Sequence, residues 1–336
     1  MHTPRRLSTS LLLLVLGLTI TGRARGEARA TIPALRQSAD YLEWGRMKEA
    51  RALVARLVAA DPKNPVLLAY YSHVLNNFGD TSRAIAVAKQ AVALDDHCAT
   101  CHLFLSEGLG AHAEAQSKLR ALFELHAIRT EMDRAVELAP ELSDTHWGVM
   151  QLNLTLPAAL GGKISEAWRQ AGIIAGIDPL SGWLARAAIH TALLQSDKAL
   201  EDYHRAAQQF PHDPRGNFAY GQALYQAQRY REAEPVLARA VQLQKASPLY
   251  NGYYAATLVR LGQEAKARAV LSVAMKEHPN SRLPEFLVAQ ALQAGGHPSG
   301  EQAEWARTLL RHYLQVPPEP DQPTAVEARK LLTQLG

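Results

Sequence analysis

A small apolar residue returns along this chain about every 34 positions, at Ala50, Ala84, Ile128, Ala167, Ala199, Ala233, Ala267 and Ala303, with intervals of 34, 44, 39, 32, 34, 34 and 36. Seven residues after each comes a second apolar residue: Leu57, Ala91, Ala135, Ile174, Ala206, Ala240, Ala274 and Leu310. Twelve residues after five of them comes a proline, at Pro62, Pro140, Pro179, Pro211 and Pro279, and a glycine often stands four or five residues before, as at Gly45, Gly79, Gly162 and Gly262. Small side chains seven apart lie on one helix face and let a second helix approach closely. The glycine suits a turn of positive φ, and the proline closes one helix pair and opens the next. A pair of this length cannot bury its apolar stripe alone, so neighbouring pairs must stack into a continuous core. The expected fold is all-α: a solenoid of about eight antiparallel helix pairs.

On these residues the chain resembles the tetratricopeptide repeat (TPR) family. The best matches are the units 180–213 (Trp183, Ala199, Tyr203, Ala206, Pro211), 214–247 (Gly221, Tyr225, Ala233, Ala240) and 248–281 (Ala255, Gly262, Ala267, Ala274, Pro279). The remaining units fall near 31–64, 65–98, 99–142, 143–179 and 282–315, followed by a proline-rich linker over 316–323 and a capping helix over 324–336, apolar at Ala325, Ala328, Leu331, Leu332 and Leu335. Two units break the period. About ten extra residues between Ala84 and Ile128 read as two lengthened helices, and about five more fall at Leu156 to Gly162. That second segment, with Lys163 to Pro179, is similar to a unit of exported bacterial TPR proteins that include the periplasmic T components of TRAP-type transport systems. This resemblance implies, as a further alternative, an accessory role in substrate uptake.

The N-terminus gives an address. Met1 to Arg6 is basic, Leu11 to Ile20 is an apolar run of ten, and Ala28-Arg29-Ala30 or Gly22-Arg23-Ala24 fits a small-x-small cleavage pattern, the order of a secretory signal peptide over residues 1–30. Ten apolar residues are too few to span a bilayer as a helix. The chain's 36 basic and 32 acidic residues give a formal charge of +4, but Met1 to Ala30 holds five arginines and only Glu27. Beyond it 31 bases face 31 acids, which removes the case for a nucleic-acid partner. The expectation is a periplasmic or secreted chain that does not span the membrane once the leader is cleaved.

The sharpest local motif is His97-Cys98-Ala99-Thr100-Cys101-His102. C-x-x-C-H is the pattern of c-type haem attachment, with two thioethers and His102 as axial ligand. The same cysteines, the only two in the chain, also suit a short disulfide at a helix start, or packing positions with no cofactor. A zinc or copper site would need His97, Cys98, Cys101 and His102 to converge, which adjacent residues at a turn oppose. No serine elbow, phosphate loop or H-E-x-x-H is present, so no enzyme activity is expected.

In the TPR family the first helix of each pair lines a concave groove that holds peptides. Carried onto this chain, the resemblance places His73, Asn76, Asn77, Trp147, Gln151, Arg215, Phe218, Gln222, Tyr225, Gln226, Arg260, Phe286 and Gln290 there. Aromatic rings with side-chain amides suit an extended segment of a protein or peptide in the cell envelope.

Overall fold

Four helices begin on the same device. Pro65, Pro179, Pro214 and Pro248 stand in the first turn, where a missing N–H costs nothing. The preceding Asn64, Asp178, Asp213 and Ser247 accept the backbone N–H of Leu67, Leu180, Arg215 and Tyr250. The computed structural model describes residues 33–335 apart from 117, 297 and 319–321, and among them it holds helices and no strand. The leader expected over Met1 to Ala30 lies outside the described residues. In chain order the helices are α1 (Pro33–Glu43), α2 (Met47–Ala60), α3 (Pro65–Asn77), α4 (Thr81–Leu94), α5 (Ala99–Ala115), α6 (Lys118–Leu138), α7 (Ser143–Thr155), α8 (Ile164–Ile177), α9 (Pro179–Ala192), α10 (Ser196–Gln209), α11 (Pro214–Gln226), α12 (Tyr230–Leu243), α13 (Pro248–Arg260), α14 (Glu264–Glu277), α15 (Leu283–Gln293), α16 (Gly300–Tyr313) and α17 (Ala325–Gln334). They form eight pairs and a terminal helix. None of the described helices is long and apolar enough to cross a membrane.

The anchor residues explain the stacking. All eight, from Ala50 to Ala303, are buried on the second helix of their pair, and so are seven of the eight residues that follow at the seven-residue offset. Ala328 and Leu331 of α17, with Leu335 at its C-terminal cap, join the core around Tyr313 and Leu310, covering the end of the stack. The two longest helices are α5 and α6, with 17 and 21 residues against 10 to 14 elsewhere, so the extra ten residues after Ala84 lengthen one helix pair. The extra residues near Leu156 form a short 3-10 turn, Ala158–Leu160, whose last carbonyl accepts from Arg129 Nη2 at 3.2 Å. Here the left-handed turn residue is Gly161 and not the expected Gly162. Gly162 is held by crowding instead, since a Cβ there would lie 1.9 Å from the Leu156 carbonyl oxygen. The superhelix also returns on itself: Ser247 Oγ donates to the Trp44 carbonyl at 3.4 Å, and Lys48 Nζ donates to the Pro317 carbonyl at 2.7 Å.

The turn inside each pair takes positive φ at the same repeat position in five units, by Gly45, Gly79 and Gly262 and, against expectation, by Leu194 (58°) and Gln228 (60°). A left-handed L-residue costs about 1–2 kcal/mol, and glycine returns part of that as lost chain entropy. Leu194 is 81% exposed, so its side chain contributes little packing. Leu194→Gly is therefore expected to stabilise the chain by about 1 kcal/mol, read as a higher midpoint of urea unfolding.

Candidate functional site

The first helices of successive pairs lie side by side, and this contact decides which residues face outward. The His73 ring on α3 stacks on Phe104 of α5 at 4.5 Å, and its Nδ1 meets Glu107 Oε2 at 2.8 Å. Phe218 on α11 stacks on Tyr250 of α13 at 4.2 Å and meets Tyr253 edge-on at 5.6 Å. Phe286 leans on Tyr313 at 5.3 Å. His73, Trp147, Phe218, Gln222 and Phe286 are all buried. His73 and Phe218 therefore fill seams against the next first helix and Phe286 packs on the second helix of its own pair, enclosed rather than presented, while the Trp147 indole N–H has no partner among the described residues. Large rings bury 150–250 Å² each, and a neighbouring helix offers that burial without a partner.

Arg215 also works inside the stack. Its guanidinium bridges the capping carboxylates of two successive first helices, at 2.9 Å from Asp213 and 3.5 Å from Asp178. Burial alone would favour the neutral form, but the hydrogen bond to Asp213 and the charges of Asp213, Asp178 and Glu43 outweigh it and hold the group protonated beyond its ordinary range. Tyr225 is half-buried edge-on against Tyr230 and Tyr253, and burial pushes its phenol well up, so it stays neutral.

What remains accessible is polar. Asn76, Asn77, Gln151 and Arg260 are half-buried, while Gln226 and Gln290 are exposed. Asn76 Nδ2 donates to Glu107 at 3.2 Å, and Asn77 Nδ2 donates to the His73 carbonyl at 3.0 Å. Arg260 lies over the Tyr230 ring at 5.0 Å and donates to the Ala291 carbonyl at 3.4 Å. Yet Asn76 Oδ1, Trp147 Nε1, Gln151 Nε2 and Arg260 Nε are buried atoms with no hydrogen-bond partner among the described residues. One acceptor and three donors on the first helices thus lack a partner. An unmet buried polar atom costs about 1–3 kcal/mol, so each favours an incoming polar group.

The structure also accounts for the C-x-x-C-H segment. The Cys98 and Cys101 sulfurs are bonded to each other, and Cys98 caps α5 by accepting the Cys101 N–H at 3.2 Å. His102 is the fourth residue of its helix, and its Nε2–H donates to the Asp96 carbonyl, six residues back, at 2.9 Å. The same position carries the same offset in three other pairs: His146 to Pro140 at 2.7 Å, Asn217 to Pro211 at 3.4 Å and Asn251 to Lys245 at 3.0 Å. The other ring nitrogen meets the paired second helix, His102 at Glu131 (2.6 Å) and His146 at Gln170 (2.6 Å). His102 is thus a repeated structural brace that secures a carbonyl near the end of the preceding pair. With both ring nitrogens engaged and both sulfurs joined, these residues do not fit haem, and the four soft ligands do not converge on a metal. The signal for this brace, a His or Asn at one repeat position, is present in the sequence but split between two residue types that share the role.

A pocket of about 320 Å³ that the repeat frame did not anticipate lies between α2, α3 and α4. Lys48, Arg51, Arg83, Asp80 and the rings of Tyr71 and Phe78 line it. Arg51 sits 4.0 Å over Phe78, and Arg83 donates to the Tyr71 hydroxyl at 3.2 Å.

A stack of antiparallel pairs with small anchors on each second helix defines a TPR-type α-solenoid. Residues 195–252 match the tetratricopeptide repeat family model. Among solved structures, yeast Tom70 is 13% identical with a TM-score of 0.61, the match covering 96% of this chain and 69% of that one. A thermophilic TPR protein of Thermus thermophilus is 22% identical with a TM-score of 0.48, covering 57% of this chain and 98% of its own. The likeness to Tom70 shows the fold. A comparison with curated proteins found no match in sequence. TPR solenoids are typically non-enzymatic scaffolds for protein-protein interaction.

Proposed function

We propose that this chain is an exported, non-enzymatic scaffold that binds an extended protein or peptide segment in the cell envelope along its first helices. The observation that carries the reading is the set of unpartnered polar atoms on Asn76, Trp147, Gln151 and Arg260. An extended backbone supplies both carbonyls for the three donors and an N–H for the acceptor. The leader-like order of residues 1–30 supports export.

The test is a random-peptide phage library panned against the purified chain. An enriched peptide is expected to bind the double variant Trp147→Phe, Gln151→Leu about tenfold more weakly, the loss for two neutral hydrogen bonds at about 0.5–1.5 kcal/mol each. Failure of any peptide to enrich, or equal affinity for both proteins, would count against this surface.

A further inference from the structure

The Cys98–Cys101 pair has more of the features of an exchanging disulfide than of a staple. It closes a ring of only three residues' separation at a helix start, so it removes little entropy from the unfolded chain. It also lies in the interior of a solenoid whose repeats hold one another through their own core, rather than in a small domain that needs cross-links. The two residues, both buried, differ in exposure. Cys101 is fully buried, with Sγ 3.5 Å from the Pro65 carbonyl of α3, whereas Cys98 retains 8% exposure next to the exposed turn Asp95-Asp96-His97. Cys98 Sγ already accepts the Cys101 N–H at the mouth of a 17-residue helix, an arrangement that stabilises a thiolate more than a thiol. The groups facing this end are Asp95, Asp96 and His97 on the turn, His102 on α5 and Glu131 on α6; the acids oppose the helix, and Glu131 is engaged with His102.

We propose that Cys98 and Cys101 form a reversible dithiol–disulfide couple that exchanges with a dithiol protein or peptide, Cys98 being the sulfur attacked and Cys101 the leaving and resolving thiol. A partner thiolate bonds to Cys98 Sγ while the Cys98–Cys101 bond breaks, and Cys101 leaves with the electron pair and takes a proton. The partner's second thiolate then attacks its own sulfur in the mixed disulfide, releasing Cys98 as a thiolate held by the Cys101 N–H. The partner dithiol is oxidised to a disulfide; two electrons and one proton, on Cys101, end on the cysteine pair, and the partner's other proton goes to solvent. This activity is independent of the unpartnered polar atoms on the first helices.

The experiment equilibrates the full chain with reduced glutathione at about 1–10 mM and counts free thiols by mass-tag alkylation. More than half of the chains are expected to convert to the dithiol, whereas a structural disulfide resists the glutathione pool. In Cys101→Ser, Cys98 is expected to take up one glutathione from its disulfide form and to react with iodoacetamide at pH 6.5 about tenfold faster than cysteine in an unfolded peptide. Cys98→Ser is expected to do neither, and far-UV circular dichroism checks that both variants keep their helices. A pair that stays oxidised in glutathione, or a Cys98 that alkylates no faster than the unfolded peptide, overturns the proposal.

Discussion

Gly182→Ala is expected to be among the most damaging single-methyl changes in this chain, lowering stability by about 2–3 kcal/mol in urea unfolding. A Cβ at Gly182 on α9 would lie 2.4 Å from Ala175 Cβ and 2.5 Å from Ala175 Cα on α8. The obstacle includes backbone, which cannot rotate aside as a flexible side chain does, so the methyl must push two packed helices apart. Gly172, on α8 itself, is the control. A Cβ there meets nothing within 4 Å, so Gly172→Ala keeps only the gain in helix propensity, about 1 kcal/mol. Equal effects of the two substitutions would remove close approach of α8 and α9 as the cause.

Arg215→Leu is the second large effect, an expected loss of about 2–3 kcal/mol. Breaking a buried pair costs about 3–5 kcal/mol, and the partial exposure of Asp178 and Asp213, at 16% and 22% of their side chains, reduces this. The change takes the cation from two carboxylates that also cap α9 and α11. Adding Asp178→Asn, which keeps a good capping group and removes one of these charges, is expected to recover about 1 kcal/mol in a double-mutant cycle. Because Arg215 acts between repeats, affinity for a selected peptide is expected to stay unchanged while the variant remains folded. A loss of affinity with stability intact would return Arg215 to the binding surface.

The repeat was legible because it is written in residues whose role is local. Ala84 or Ala233 must be small wherever helices cross closely, and Pro214 or Pro248 opens a helix whatever lies beyond. The lengthened third pair was legible for the same reason, since ten inserted residues with helical character extend helices. The Leu194 and Gln228 turns were not, because neither residue announces positive φ; the helices on both sides impose it. The His102 brace was hidden by the shared use of His and Asn at one position.

By itself, then, the sequence determined the architecture: helix pairs at a period near 34, their starts and stops, and the small-residue seams along which they pack. These follow from sterics and hydrogen bonding within a few turns of chain. Only the tertiary structure decided which first-helix residues remain available. Phe218 and Gln151 share a frame that marks both as inward, yet Phe218 is enclosed by Tyr250 of the next first helix while Gln151 keeps an unpartnered amide. That enclosure arises from contacts between residues a full repeat apart, which no single repeat encodes.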